Sequence, residues 1–208
     1  MKRSLVYLYS LLFLIFFSSY DIVIKEKGIS NFKLKSATTN KWVSISDYKK
    51  TKGFVVVFLS NKCPMAKFYS QRLNQMNEKY KKLGVPVLAI NSMDTLAYAE
   101  ESFNKMQKKA KNDKFNFPYL QDKNQTFAKQ LKAENTPQAF VVWKNISGKL
   151  VIKYQGAIDD NAGEPEKAQH HFITDAVDEL LNGKNVTVSK SESFGCRIFY
   201  RGEKNIMN

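Results

Sequence analysis

The sequence predicts an α/β fold, a central mixed sheet flanked by helices, and three observations carry that prediction. Two continuous apolar runs, Phe54-Val-Val-Val-Phe-Leu59 and Val85-Pro-Val-Leu-Ala-Ile90, have the composition of strands buried on both faces. Between them Met65, Phe68, Tyr69, Leu73, Met76 and Tyr80 recur at three- and four-residue steps, the period of an amphipathic helix. Towards the end of the chain Gln138-Ala-Phe-Val-Val-Trp143 turns over residues 145–149 and returns as Leu150-Val-Ile-Lys-Tyr154, the pattern of a hairpin.

Taken in order, the chain opens with Lys2 and Arg3 followed by an apolar stretch from Leu5 to Phe17. That stretch is short for a membrane span and fits an export signal, with Ser18, Ser19 and Tyr20 as the nearest cleavage positions. Left uncleaved, it would be an anchor. Phe32-Lys-Leu-Lys and Trp42-Val-Ser-Ile alternate as two short strands, an N-terminal extension of the sheet. Pro64 opens the first helix and Gly84 follows its end. A second helical stretch is expected over 95–110, an extended segment at Phe115-Asn-Phe-Pro-Tyr-Leu120 and a short helix over 125–131. The last helix is expected over 166–181, with Phe172, Ile173, Val177, Leu180 and Leu181 as its apolar stripe and Gly183 as its stop. The expected organisation is a signal peptide or anchor over 1–20, one domain over 30–183, and a polar tail over 184–208 carrying Cys196.

The net charge is +14, but only four of the 33 basic residues are arginine, and the lysines are scattered without a dense block. Arginine makes most bidentate base and phosphate contacts, so the pattern argues against nucleic acid as a partner. Diffuse basicity gives solubility and steering instead. A membrane is a partner only if the N-terminal segment stays uncleaved. No metal site is expected. Cys63 and Cys196 are the two thiols, and the adjacent His170 and His171 would point about 100° apart on a helix. Those histidines read as a solvated helix face, and no cofactor is expected.

Cys63 is the residue best placed for chemistry. It lies between a buried strand and the helix that opens at Pro64, where unsatisfied backbone N–H groups and the helix dipole favour a thiolate. Lys62 and Lys67 add positive field. The competing reading is a cysteine buried as a small hydrophobe, or half of a structural bridge. Thr136-Pro137 stands just before a strand, downstream of the two buried strands. Asp159-Asp160 reads as a turn cap and Asp94 as a helix N-cap. In an exported chain an even cysteine count admits a disulfide between Cys63 and Cys196.

The stretch Phe58-Leu-Ser-Asn-Lys-Cys-Pro-Met-Ala-Lys67 resembles the active-site segment of thioredoxin-like proteins. Together with Phe117-Pro-Tyr-Leu-Gln-Asp122, Thr136-Pro137, Gly156-Ala-Ile-Asp-Asp160 and Gly195-Cys196-Arg-Ile198, it makes about residues 30–200 resemble a redoxin of the alkyl hydroperoxide reductase/thiol-specific antioxidant (AhpC/TSA) family. The resemblance implies a thioredoxin-like fold with Cys63 as the attacking cysteine. It also implies that Pro64, Thr136 and Pro137 lie at the substrate, the Thr-Pro loop facing the cysteine.

The departures define what is left. Ala66 stands where a Cys-x-x-Cys motif has its second thiol, so a vicinal dithiol cycle is not available. Ser60 and Cys63 match the Thr/Ser-x-x-Cys half of the peroxiredoxin motif, but Val56 stands where the family proline falls. Arg72 is nine residues past Cys63, roughly 13 Å along a helix, and Arg197 could approach only if the tail folds back.

Two readings follow. One is an exported thiol-dependent oxidoreductase, periplasmic, secreted or membrane-anchored. In it Cys63 attacks a peroxide or a disulfide partner, and Cys196 or an external thiol reductant resolves the product. The other is a non-catalytic binding module with a permanent Cys63–Cys196 bridge.

Overall fold

Alternation within the two apolar runs decides how the sheet is covered. A computed structural model describes residues 28–202, so the stretch read as a signal or anchor lies outside the described residues. Strand β3 (Gly53–Phe58) is buried along its whole length. Val55 and Val57 face one core, and Phe54, Val56 and Phe58 face the other, as the two-residue period of a strand requires. Strand β4 (Val87–Asn91) lies parallel to β3, and β5 (Tyr119–Gln121) lies parallel to β4. The hairpin strands β7 (Gln138–Lys144) and β8 (Leu150–Gly156) join the other side of β3 antiparallel. The N-terminal strands β1 (Lys33–Ser36) and β2 (Trp42–Ser44) extend the β5 edge, giving the seven-stranded order β2-β1-β5-β4-β3-β7-β8.

Helices α1 (Pro64–Lys81), α2 (Phe103–Asn112) and α4 (Phe172–Leu181) cover the Val55 face, through Leu73, Tyr80, Met106 and Val177 among others. The short helix α3 (Thr126–Leu131) covers the opposite face with Phe127 and Leu131. A seven-stranded mixed sheet with helices on both faces and a closing hairpin and helix is the thioredoxin-like fold.

Two of the expected helices begin later than their periodicity suggests. The stretch expected as a helix over 95–110 is a single 3₁₀ turn (Ala99–Glu101), an extended Ser102 and then α2. The last helix begins at Phe172 rather than 166. Ahead of it the Asp160 carboxylate accepts the backbone N–H groups of Gln169 and His170 at 3.0 and 3.2 Å, which holds that stretch off the helix axis. His170 and His171 therefore precede the helix, exposed, instead of forming one of its faces. Among the described residues no helix is long and apolar enough to cross a membrane.

The tail after α4 is ordered along the body of the fold. Ser189 and Ser191 exchange backbone hydrogen bonds with Gln155 at the outer edge of β8. Gly156, at φ +151°, makes the approach possible, because a Cβ there would lie 2.4 Å from the Ser191 hydroxyl. The chain then reaches a second, two-stranded ladder of β6 (Asn135–Thr136) and β9 (Cys196–Arg197). Past it Ile198 is buried among Phe127, Leu131 and Phe140 on the second core.

Candidate active site

The loop between β3 and α1 delivers Cys63 to the helix N-terminus as its N-cap residue, with Pro64 at the first helical position. Proline fits there because its missing N–H would have no helical partner. The thiol is only 2% exposed, and Pro64 beside it faces solvent. The Cys63 backbone N–H donates to Ser60 Oγ at 3.1 Å. Thr136 Oγ1 donates to the same oxygen at 3.0 Å. The Cys63 thiol donates to the Thr136 carbonyl at 2.9 Å. The peptide bond between Thr136 and Pro137 is cis. Ser60, Cys63, Pro64, Thr136 and Pro137 are thus one cluster, assembled from two loops far apart in sequence.

The tail brings the second thiol to this cluster. In the β6–β9 ladder Thr136 is opposite Cys196, and Cys63 and Cys196 line the same cavity. Both thiols are free. Their environments push them in opposite directions. Burial raises the Cys63 thiol, but its polar surroundings, Cys196, the Ala66 amide and Thr136, outweigh it. Together they hold Cys63 below the ordinary thiol value. Cys196 is pushed up to about 12 by burial, by its hydrogen bond to Cys63, by the charge of that sulfur and by the Glu101 carboxylate. Of the two thiols, Cys63 is the more readily ionised.

Glu101 is a residue that the sequence did not mark. It is 2% exposed. Its carboxylate accepts the backbone N–H groups of Asn61 at 2.7 Å and Lys62 at 3.1 Å, and the Asn91 amide at 2.8 Å. The loop that presents Cys63 is therefore pinned from the 3₁₀ turn before α2. No local pattern could reveal this, because its partners lie 10 to 40 residues away.

The two arginines have separate places. Arg72 is not at the thiol. It pairs with Asp159, donates to the Asn161 and Ala162 carbonyls, and lies 4.3 Å over the Tyr69 ring. Asp159 accepts the Asn161 backbone N–H at 3.1 Å, so it caps the turn after β8 as expected; it also accepts from Tyr69 at 2.9 Å and, through the buried pair with Arg72, joins α1 to that segment. Asp94, by contrast, caps no helix: it accepts from the Leu96 N–H and pairs with Arg201 of the tail at 2.7 Å. Arg197, carried in by β9, lines the cavity beside Cys63 and lies over the Phe199 ring. That cavity holds about 370 Å³ between Ser60, Lys62, Cys63, Met93, Tyr98, Glu101 and the tail residues Cys196, Arg197 and Phe199. Among the described residues no group of three or more His, Cys, Asp or Glu side chains is placed to hold a metal ion.

A thioredoxin-like sheet with a cysteine at the N-terminus of α1, facing a Thr–cis-Pro loop, defines the class of thioredoxin-like redoxins. The AhpC/TSA family model matches residues 26–160, and the chain belongs to that family. Cys63, Thr136, Pro137 and Asp159 lie within the matched segment; Cys196 lies beyond it. Among solved structures the chain is similar to an uncharacterised conserved protein of Geobacillus kaustophilus, at 30% identity and a TM-score of 0.77, over 86% of this chain and 93% of that one. A hypothetical protein of Sinorhizobium meliloti is similar at 29% identity and a TM-score of 0.75, over 86% and 95%. A thiol-disulfide oxidoreductase of Bacteroides fragilis shares the fold at 17% identity and a TM-score of 0.50, over 62% and 89%. No curated protein matches the chain.

Proposed function

We propose that this AhpC/TSA redoxin is an exported thiol-dependent oxidoreductase in which Cys63 is the nucleophile and Cys196 the resolving thiol. The observation that carries the reading is the meeting of both thiols at Thr136: Cys63 donates to its carbonyl, Cys196 is opposite it in the ladder, and both line one cavity. With a hydroperoxide, the Cys63 thiolate attacks the terminal oxygen and the O–O bond breaks. The leaving alkoxide takes a proton, and Cys63 becomes a sulfenic acid. Cys196, as its thiolate, then attacks that sulfur; the hydroxyl leaves as water and a Cys63–Cys196 disulfide forms. With a disulfide, the first attack gives a mixed disulfide and releases one thiolate, and Cys196 displaces the other. Two electrons from an external thiol reductant restore both cysteines.

The neighbouring groups support these steps. Cys196 lines the same cavity as the sulfur that must become anionic, and the Ala66 amide at the helix N-terminus stabilises that charge. The missing cysteine at position 66 is replaced, in this reading, by one that arrives across the β6–β9 ladder. Export follows from the Lys2-Arg3 and Leu5 to Phe17 pattern of the N-terminus.

Turnover with hydrogen peroxide and dithiothreitol, followed by peroxide consumption, tests the assignment. Cys63→Ser should lose activity to the uncatalysed rate. Cys196→Ser should retain the first oxidation and accumulate Cys63 sulfenic acid. Unchanged turnover in Cys63→Ser would contradict the reading.

A further inference from the structure

The extended backbone that meets the Cys63 sulfur is that of Thr136, and its pairing edge is filled from within the chain. β9 runs antiparallel to β6, with Asn135 opposite Arg197 and Thr136 opposite Cys196. On either side of the ladder, the Ile198 N–H donates to the Glu134 carbonyl at 2.8 Å and the Asn135 side-chain amide to the Ser193 carbonyl at 3.0 Å. Gly195 permits this closeness. A Cβ at that position would lie 2.2 Å from the Thr136 oxygen and 3.0 Å from Pro137 Cδ. The segment is seated from both directions, by Ser191 against Gly156 and Tyr154 upstream and by buried Ile198 downstream.

An extended peptide gains its affinity for a sheet edge from main-chain hydrogen bonds. A peptide disulfide brought to Cys63 along Thr136 needs the edge that β9 occupies. The other approach to the sulfur is the cavity of about 370 Å³, walled by Met93, Tyr98 and Phe199, a volume at the small end of small-molecule sites.

Resting on the reading of Cys63 as the attacking thiol, we propose that β9 is a built-in occupant of the peptide-pairing edge that restricts Cys63 to small hydroperoxides and excludes extended protein disulfides. Gly195 is the positioning residue for this selectivity, since it alone lets the tail backbone lie against Thr136. The chemistry is the hydroperoxide step given above, with the external thiol as the source of electrons.

The test reads the first covalent step alone. In a Cys196→Ser background, loss of the free Cys63 thiol is followed by mass spectrometry with hydrogen peroxide and, separately, with insulin as the extended peptide disulfide. Gly195→Val drives β9 away from Thr136, and Ile198→Ala loosens the strand from its other end without a clash. Displacing β9 also withdraws the backbone amide of residue 196 from Cys63, which lowers the thiolate fraction for both reagents alike, so the ratio of the insulin rate to the peroxide rate is the quantity read. Both variants should raise that ratio by about tenfold, the worth of one or two recovered backbone hydrogen bonds, a change that a lower thiolate fraction alone would not produce. If Gly195→Val fails to fold by circular dichroism, Ile198→Ala decides the matter. An insulin-to-peroxide rate ratio that is the same in the background protein and the loosened variants would overturn the proposal, as would insulin reacting with the background protein as fast as peroxide. A Cys63 inert to both reagents in every protein would instead overturn the redox reading beneath it.

Discussion

Two thiols of identical covalent structure acquire opposite tendencies here through their neighbours. Cys63 lies at a helix N-terminus with polar groups around its sulfur, whereas Cys196 is raised by burial and by the field of Glu101. Ionisation of Cys63 exchanges one interaction for another: its proton leaves the Thr136 carbonyl, and the sulfur then accepts from Cys196. A hydrogen bond to a charged group contributes about 1.5–3 kcal/mol. Removing the donor with Cys196→Ala should therefore move the midpoint of Cys63 alkylation by iodoacetamide about one to two pH units upward. The sign follows from the chemistry: fewer donors stabilise the thiolate less, so a higher pH is needed to form it. A pH profile of alkylation, read by peptide mass, checks this. At this scale Cys63 was legible, since a cysteine followed by proline after a buried strand is a local pattern. Glu101 was not, because its role is set wholly by amides distant in sequence.

At the scale of elements, the loop between β3 and α1 is held by a carboxylate and not by its own turn chemistry. Both Glu101 oxygens accept from N–H groups, and a glutamine offers only one oxygen and turns an N–H₂ towards a donor. Glu101→Gln should thus destabilise the fold by about 1–3 kcal/mol, seen as a lower urea midpoint, with faster hydrogen exchange at Asn61 and Lys62. The same residue explains why the helix expected over 95–110 breaks at Ser102. Helical periodicity reports an apolar stripe, but it does not report a side chain that is needed elsewhere. The later start of α4 has a parallel cause in the Asp160 carboxylate. The strands were more legible, because β3 and β4 are fully buried and announce themselves by continuous apolar runs, and β7 and β8 by a polar turn between two largely apolar segments.

Across the whole molecule the decisive feature is the path of the tail. Its sequence is polar, short of periodicity and marked only by Gly195-Cys196, so nothing local shows that it follows β8, pairs with Thr136 and ends against α3. From Ser189 onward it is held by hydrogen bonds, two glycine clearances, the burial of Ile198 and the Arg201–Asp94 ion pair, with partners tens of residues away. Arg72 and Asp159, 87 positions apart, are hidden for the same reason. The path unites the site: without it Cys63 would face the Thr136 loop alone, with Ala66 in place of a partner thiol.

The proposed chemistry requires Cys63 and Cys196 to act as one redox pair. The most direct measurement is a peptide map under non-reducing conditions. The fully reduced protein is treated with one equivalent of hydrogen peroxide and then quenched with an alkylating reagent. A Cys63–Cys196 cross-linked peptide that forms stoichiometrically, within one molecule, and disappears on treatment with dithiothreitol is the expected result. Recovery of both cysteines alkylated after peroxide treatment, or of Cys63 joined only to a second chain, would contradict it.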